Sequence, residues 1–486
     1  MPALIIHGHF YQPPRENPRT GELETQQSAA PFHDWNERIH AECYGPNAFA
    51  RLGDDLIVNN YAHINFNFGP TLLSWLEEHH SATYQRILGA DADSLVNQNG
   101  HGNAIAQAYG HAILPLLNAR DRLTHVQWGL EDFRYRFKRE PESIWLPETA
   151  CNDETLDLLI ESGVRYVILA PEQARRVRRS KDEEWRNVSD AGIDTTRPYR
   201  FFHRDGSQRS LAVFFYNGPL ARGIAFEQAL KSSRELVGRF TDIATTGPLV
   251  NVATDGETYG HHFKFGDLCL AHALTIEAPE SGFEITNYGY YLDRHAPEFE
   301  VEIENGPDGL GSSWSCNHGV GRWSSDCGCY TGGEAGWNQR WREPLRAALE
   351  FLRSNADEQF EQRGRDLFHD PWAARNAFIR VMLDPARFEQ EFINQHFRGP
   401  LNERESALTL LEIQKNSLLM FTSCGWFFSD LGGIETVQVL RYAARVIELQ
   451  DQIGISNPKM KFLEMLSEAH SNVKEKGNGA EIFLRL

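Results

Sequence analysis

The sequence predicts an α/β protein built on a parallel sheet and followed by a helical region. Three observations carry this. Short, nearly continuous apolar runs alternate with helix-like segments through the first half, and such runs mark strands covered on both faces. Polar residues recur at the C-terminal ends of those runs. The second half loses this pattern and takes up helical spacing.

The expected strands are "ALIIHGHF" from Ala3, "AHINFNF" from Ala62, "SLVNQNG" from Ser94 and "SIWLPE" from Ser143. They continue with "VRYVILA" from Val164, "SLAVFFYN" from Ser210 and "LVNVATDGE" from Leu249. Helices are expected between them at "PTLLSWLEEHH", "GNAIAQAYGHAILPLL" and "NDETLDLLIESG". Seven such units suggest a closed or nearly closed β/α barrel, with a doubly wound sheet as the alternative. The strand-end polar residues favour the barrel: His7 and His9, Asn65 and Asn67, Asn97 and Gln98, Glu148, Tyr216 and Asn217, Asp255 and Glu257. Barrel active sites lie at that face and are assembled from several strand ends.

Two stretches interrupt the alternation. Residues 11–60 are too long and too aromatic for a simple connector and are expected to form a lid or subsite wall. Residues 173–209 form a second insertion, whose charge run "RRVRRSKDEEWR" is expected to be a solvated face. Residues 295–336 are rich in Gly, Ser, Cys and Trp. Beyond them Ile434, Val437, Leu440, Ala444 and Ile447 follow helical spacing and read as a core stripe. The expected organisation is a catalytic barrel at 1–294, a connecting segment at 295–336 and a helical domain at 337–486. The closing "AEIFLRL" has the make-up of the middle of an apolar element, so a truncated C-terminus is expected.

Bulk properties exclude some functions. A chain of 486 residues suits two domains, or one large barrel with additions. A net charge of -19 leaves no excess of Lys and Arg to neutralise phosphates, which argues against nucleic acid. No apolar run has the length to span a bilayer, so no membrane partner is expected. The opening "MPALIIHGHF" has neither the basic region nor the cleavage pattern of a signal peptide, and a cytoplasmic location is expected. The seven cysteines then read mostly as reduced thiols. No glycine-rich nucleotide fingerprint occurs, and no cofactor is expected. Oligomeric state has no signature here.

Four groups of residues carry candidate chemistry. Glu148 closes "IWLPE" and Asp255 closes "VNVATD", and two carboxylates at one barrel mouth suit glycoside hydrolysis. His7 and His9 are expected to diverge along their strand, leaving at least one of them structural. His-x-His beside carboxylates also raises a metal-dependent mannosidase or deacetylase as an alternative. Cys316, His318, Cys327 and Cys329 are candidate zinc ligands, although the usual two-residue gap between cysteines is missing. Among the tryptophans, Trp35, Trp314 and Trp426 stand in loop-like polar settings and are the candidates for stacking on a sugar ring.

In order along the chain, "HGHFYQPP", "AIAQAYGHAILPLL", "PESIWLPETA", "VATDGETYGHHF" and "FTSCGWFFSDLGGIE" resemble the signature regions of glycoside hydrolase family 57. The resemblance implies an incomplete (β/α)7 barrel followed by helices. It also implies a retaining enzyme acting on α-glucans, as amylases, 4-α-glucanotransferases and branching enzymes of that family do. By motif position Glu148 resembles the nucleophile and Asp255 the acid/base. His7 and His9 resemble the histidines lining the sugar subsite, His111 falls in the region between motifs, and Trp426 takes the place of the last region's aromatic. Two features depart from the family: "LVNQNGHGN" stands where its second region belongs, and Gly425 rather than Asp precedes Trp426. The Cys-rich segment resembles a subgroup with an uncharacterised C-terminal domain.

The sequence therefore predicts a retaining glycosidase or transglycosidase on an α-glucan or oligosaccharide. A non-catalytic carbohydrate-binding protein is the reading outside enzymes. Glu257 is expected on the same side as Asp255, orienting a sugar or a histidine. His261 and His262 begin the following loop, where a histidine is expected to bind a hydroxyl.

Overall fold

The computed structural model describes residues 1–179, 183–455 and 458–486. The chain forms two compact units. The first comprises Met1–Gln12, Thr25–Gln107 and Phe133–Trp314; the second comprises Pro13–Glu24, Ala108–Asp132 and Ser315–Leu486.

Seven parallel strands organise the first unit: β1 (Ala3–Phe10), β2 (Asn65–Phe68), β3 (Ala106–Gln107), β4 (Ile144–Trp145), β5 (Tyr166–Leu169), β6 (Ser210–Phe215) and β7 (Leu249–Asp255). Leu4, Ile5 and Ile6 make β1 apolar without alternation because strands flank it on both sides and neither face meets water. Its partners are β7 and β2, both parallel. A bridge from Phe66 to Ala104 leads toward β3, and β3 pairs with β4. A bridge from Ser143 to Tyr166 leads to β5, which pairs with β6. Between β6 and β7, Asn217 donates its N–H to the Asn251 carbonyl at 2.9 Å, and the Asn251 side chain donates to the Phe215 carbonyl at 3.2 Å.

Six of the seven expected strands form where the apolar runs predict them. The exception is "SLVNQNG". Ser94–Asn97 ends the helix Ser81–Asn97, whose inward positions Tyr84, Ile87, Asp91 and Ser94 follow a helical repeat. A short apolar run cannot by itself separate strand from helix. The missing strand is β3, inside the stretch expected to be helical. Gly110, at φ 71°, ends any regular repeat there, and the chain turns instead through Tyr109–His111.

The insertion at 173–209 builds strands, and its charge run is solvated as expected: Arg175, Arg179, Glu183, Glu184 and Arg186 are exposed. Ala174–Arg178, Arg186–Asn187 and Tyr199–Phe202 join β5, β6 and Phe299–Ile303 in a six-stranded mixed sheet. Arg176 pairs with Glu302 and Arg178 with Glu300 across strands, and both guanidinium groups lie over Trp185. Residues Ser180–Asp182 of the charge run lie outside the described residues. Because Phe299–Ile303 belongs to this sheet, the first unit runs on to Trp314 instead of stopping at 294.

The second unit is helical, with long helices at Arg342–Leu367, Arg404–Leu419 and Ile434–Gln452. Of the expected stripe, Leu440, Ala444 and Ile447 are buried, while Ile434 at the helix start is 39% exposed. Residues 108–132 belong here and not to the first unit. Trp128 donates its indole N–H to the carbonyls of Arg375 and Asn376, and Arg375 forms a buried ion pair with Asp121. Among the described residues no helix is long and apolar enough to cross a membrane.

Candidate active site

Strand register assembles the first part of the site. In the parallel ladder His9 is opposite Asp255 on one side and Asn67 on the other, so the three share one row across β7, β1 and β2. One row below, His7 is opposite Asn65 and Ala253. Residues two apart on a strand share a face, so the expected divergence of His7 and His9 is wrong. Both rings stack on Trp145, at centroid distances of 4.8 and 4.9 Å.

Asn67 sets the tautomers of both histidines. Its side-chain amide donates to Gln107 Oε1 at 2.8 Å and to His9 Nδ1 at 2.9 Å. His9 Nδ1 also lies 3.3 Å from Asn67 Oδ1, but the shorter contact, to the amide nitrogen, makes Nδ1 the acceptor and puts the proton on Nε2. His7 donates from Nε2 to Asn67 Oδ1 at 3.0 Å. Burial holds both rings neutral, with pKa values lowered to about 3. Both are thus fixed by an amide and an indole instead of converging with carboxylates on a point, which is not the arrangement a metal-dependent mannosidase or deacetylase needs.

Glu148 reaches the site on a strained turn. β4 ends at Trp145; Pro147 follows, and Glu148 and Thr149 both take left-handed backbone, with φ of 59° and 51°. Such residues cost on the order of 1–3 kcal/mol each and persist only when their surroundings fix them. Here Trp314 donates its backbone N–H to the Glu148 carbonyl at 3.1 Å. The Gln173 side chain clasps Thr149, accepting from its hydroxyl at 2.8 Å and donating to its carbonyl at 2.9 Å. Trp314 also donates its indole N–H to Glu148 Oε2 at 3.0 Å. Its ring meets Trp145, Tyr216 and His9 edge-on.

Asp255 ends β7, and water reaches its side chain. Crowding by surrounding protein, then the charges of Glu257 and Glu148, raise its carboxyl to about 8. A carboxylic acid that keeps its proton at neutral pH suits general-acid work. Glu257 faces neither a histidine nor open water: it is 7% exposed and accepts from the Tyr44 hydroxyl at 2.6 Å and the Tyr11 N–H at 3.2 Å. Burial raises it to about 7 against those hydrogen bonds.

The remaining candidates lie elsewhere or have other partners. His261 pairs with Glu42 and meets the edge of Trp35, whose indole donates to Ser28 Oγ; His262 adjoins His261 at 5.2 Å. His111 belongs to the second unit, bonded through Nδ1 to Ser423 Oγ at 2.6 Å. Trp426 is a correction. It is 1% exposed, donates to the Arg342 carbonyl and packs against Phe421 and Arg346, so its faces are covered inside the second unit. The Cys316, His318, Cys327 and Cys329 side chains do gather, with ligand atoms within 4.8 Å of one another. A cavity of about 440 Å³ lined by Arg178, Trp185, Phe202 and His203 shares no lining residue with the carboxylate site.

The sequence reading missed the supporting residues. Asn67 was visible as a strand-end polar residue, but nothing marked it as the joint of two histidines. Gln107 was hidden by the misread strand, and Tyr44 lies in an insertion with no periodic signal.

The profile of glycosyl hydrolase family 57 matches residues 35–304, more than half of the chain. The chain belongs to this family. A second profile, a domain of unknown function named DUF3536, matches residues 337–486. The family 57 chain is similar in structure to an exo-type maltose-forming amylase from Pyrococcus sp. ST04, with TM-score 0.67 and 14% identity over 99% of this chain and 90% of that one. A family 57-type branching enzyme from Pyrococcus horikoshii gives TM-score 0.57 and 15% identity, over 99% and 96%. In sequence it resembles alpha-amylase 1 of Dictyoglomus thermophilum, 23% identical over 107 residues; these are 22% of this chain and only 15% of that enzyme's length.

Proposed function

We propose that this family 57 chain is a retaining glycosidase or transglycosidase acting on α-linked glucans or oligosaccharides. Glu148 is the nucleophile and Asp255 the acid/base. The observation that carries the pairing is geometric: Asp255 lies opposite His9 in the ladder, the His9 ring meets Trp314 edge-on, and Trp314 donates its indole N–H to Glu148 Oε2. The seven parallel strands fit an incomplete (β/α)7 barrel, with β6 and β7 joined through Phe215, Asn217 and Asn251 instead of a regular ladder. The amylase and branching enzyme named above support α-glucans as the substrate class.

In the first step a Glu148 carboxylate oxygen attacks the anomeric carbon. The glycosidic C–O bond breaks, and Asp255 gives its proton to the leaving oxygen. In the second step Asp255, now ionised, takes a proton from water or an acceptor hydroxyl, whose oxygen attacks the same carbon and releases Glu148. Such a double displacement requires carboxyl groups about 5–5.5 Å apart. His9, with its proton on Nε2, is the donor for a sugar hydroxyl, beside the Trp145 and Trp314 rings.

The test is to follow product anomers by NMR on malto-oligosaccharides, amylose and α-mannosides. The proposal expects turnover of an α-glucan with the α-anomer formed first. Formation of the β-anomer first, or turnover of mannosides alone, would overturn it.

A further inference from the structure

The Gly-rich segment of the second unit brings together four side chains that the proposed reaction does not use. Cys316 Sγ lies 3.9 Å from Cys327 Sγ and 3.8 Å from Cys329 Sγ. Cys329 Sγ lies 3.5 Å from His318 Nδ1. We propose that Cys316, His318, Cys327 and Cys329 hold one structural Zn²⁺ in a closed tetrahedral site.

The spacing decides between metal and disulfide. Tetrahedral zinc with Zn–S about 2.3 Å and Zn–N about 2.05 Å sets S···S edges of about 3.8 Å and S···N edges of about 3.5 Å. Three of the six edges, at 3.9, 3.8 and 3.5 Å, match these values, and all four ligand atoms lie within 4.8 Å of one another. A disulfide would draw two sulfurs to about 2.0 Å and leave the third unmatched. Three thiolates and one imidazole in tetrahedral array select zinc over harder cations. The sequence route to this geometry is local. Gly328 separates Cys327 from Cys329 and takes φ of 84°, a turn that folds both sulfurs toward one centre. That turn replaces the two-residue gap of the usual motif.

A further observation points to a charged centre. Arg342 is fully buried, and its Nε and Nη2 have no hydrogen-bond partner. It donates from Nη1 to the Cys329 carbonyl at 2.7 Å, which places it beside the cysteine cluster. A buried guanidinium needs a counter-charge. Three thiolates, a neutral imidazole and Zn²⁺ sum to one negative charge, which supplies it.

With four protein ligands the metal has no open position, so its role is structural. It ties the Cys-rich segment to the start of helix Arg342–Leu367. Thr331 and Ser429 pair beside it through backbone and hydroxyl groups.

The experiment uses the full chain, purified without chelator, with metal content read by inductively coupled plasma mass spectrometry. The proposal expects about one zinc per chain, and at least a tenfold loss in Cys327→Ser and Cys329→Ser but not in Cys269→Ser. A second measurement that does not depend on the folding of a variant reconstitutes the native chain with Co²⁺. The chain should show sulfur-to-metal charge transfer and the intense visible bands of four-coordinate cobalt, and Zn²⁺ should abolish both. Two results would overturn the site: zinc retained in full by folded Cys327→Ser, or a native chain that takes up neither zinc nor cobalt and whose three thiols all react freely with a disulfide reagent.

Discussion

Trp314 holds Glu148 twice, through its backbone N–H to the Glu148 carbonyl and through its indole N–H to Oε2. The residue expected to stack on a sugar is thus first a donor to the proposed nucleophile. A hydrogen bond to a charged group contributes about 1.5–3 kcal/mol. Trp314→Phe keeps the ring and the backbone bond but removes the indole donor. We expect kcat/KM to fall about 10- to 150-fold, with little change in melting temperature. A fall in stability with unchanged turnover would mean that the indole only packs.

The proton on Asp255 sets the alkaline limb of activity. Its carboxyl is raised to about 8, partly by the charge of Glu257. The acid form should therefore be lost, and kcat/KM should decline, as pH rises through about 8. Glu257→Gln removes the repelling charge and should move that limb to lower pH. An alkaline limb that stays in place in Glu257→Gln would remove Asp255 as its source.

The same shift acts on stability with a definite sign. Unfolded, Asp255 ionises near the ordinary carboxylate value of 3.8; folded, it ionises at about 8. Between these values the native state binds more protons, so Asp255 costs stability progressively as pH rises through that window. Asp255→Asn should raise the melting temperature at about pH 9 and leave it nearly unchanged at about pH 4. Equal effects at both pH values would show that the carboxyl is not under this strain.

Asn67 is expected to support both the fold and the site. Asn67→Ala leaves His7 Nε2 and His9 Nδ1 without their partner in a buried setting, at about 1–3 kcal/mol for each unsatisfied group. Denaturant unfolding should register this loss. The His9 tautomer also loses its constraint, so KM should rise as well. Full stability in Asn67→Ala would mean that water replaces the amide.

Much of this was legible in the sequence. The β1, β2 and β7 runs and their polar ends predicted His9, Asn67 and Asp255 at one face, because parallel strands covered on both sides announce themselves by unbroken apolar residues. "IWLPE" likewise marked Glu148 by its place at a strand end. What was not legible depends on contacts far apart in the chain. Trp314 reaches Glu148 across 166 positions, and no local period encodes that. β3 has two residues and is short enough for helix-like composition around it to mask it. Trp426 has the same aromatic, Gly-flanked setting that an exposed platform would have, and only packing by Phe421 and Arg346 makes it a core residue.

The division of labour between the two carboxylates is tested most directly by azide rescue. Glu148→Ala with an activated α-glucosyl substrate should lose turnover and regain it with azide, giving the β-glycosyl azide. The anion attacks the anomeric carbon from the face that the carboxylate vacates, and Asp255 remains to protonate the leaving group. Asp255→Ala with azide should instead give the α-glycosyl azide, because the covalent intermediate still forms on Glu148. An α-azide from Glu148→Ala, or a β-azide from Asp255→Ala, would reverse the assignment and contradict the account.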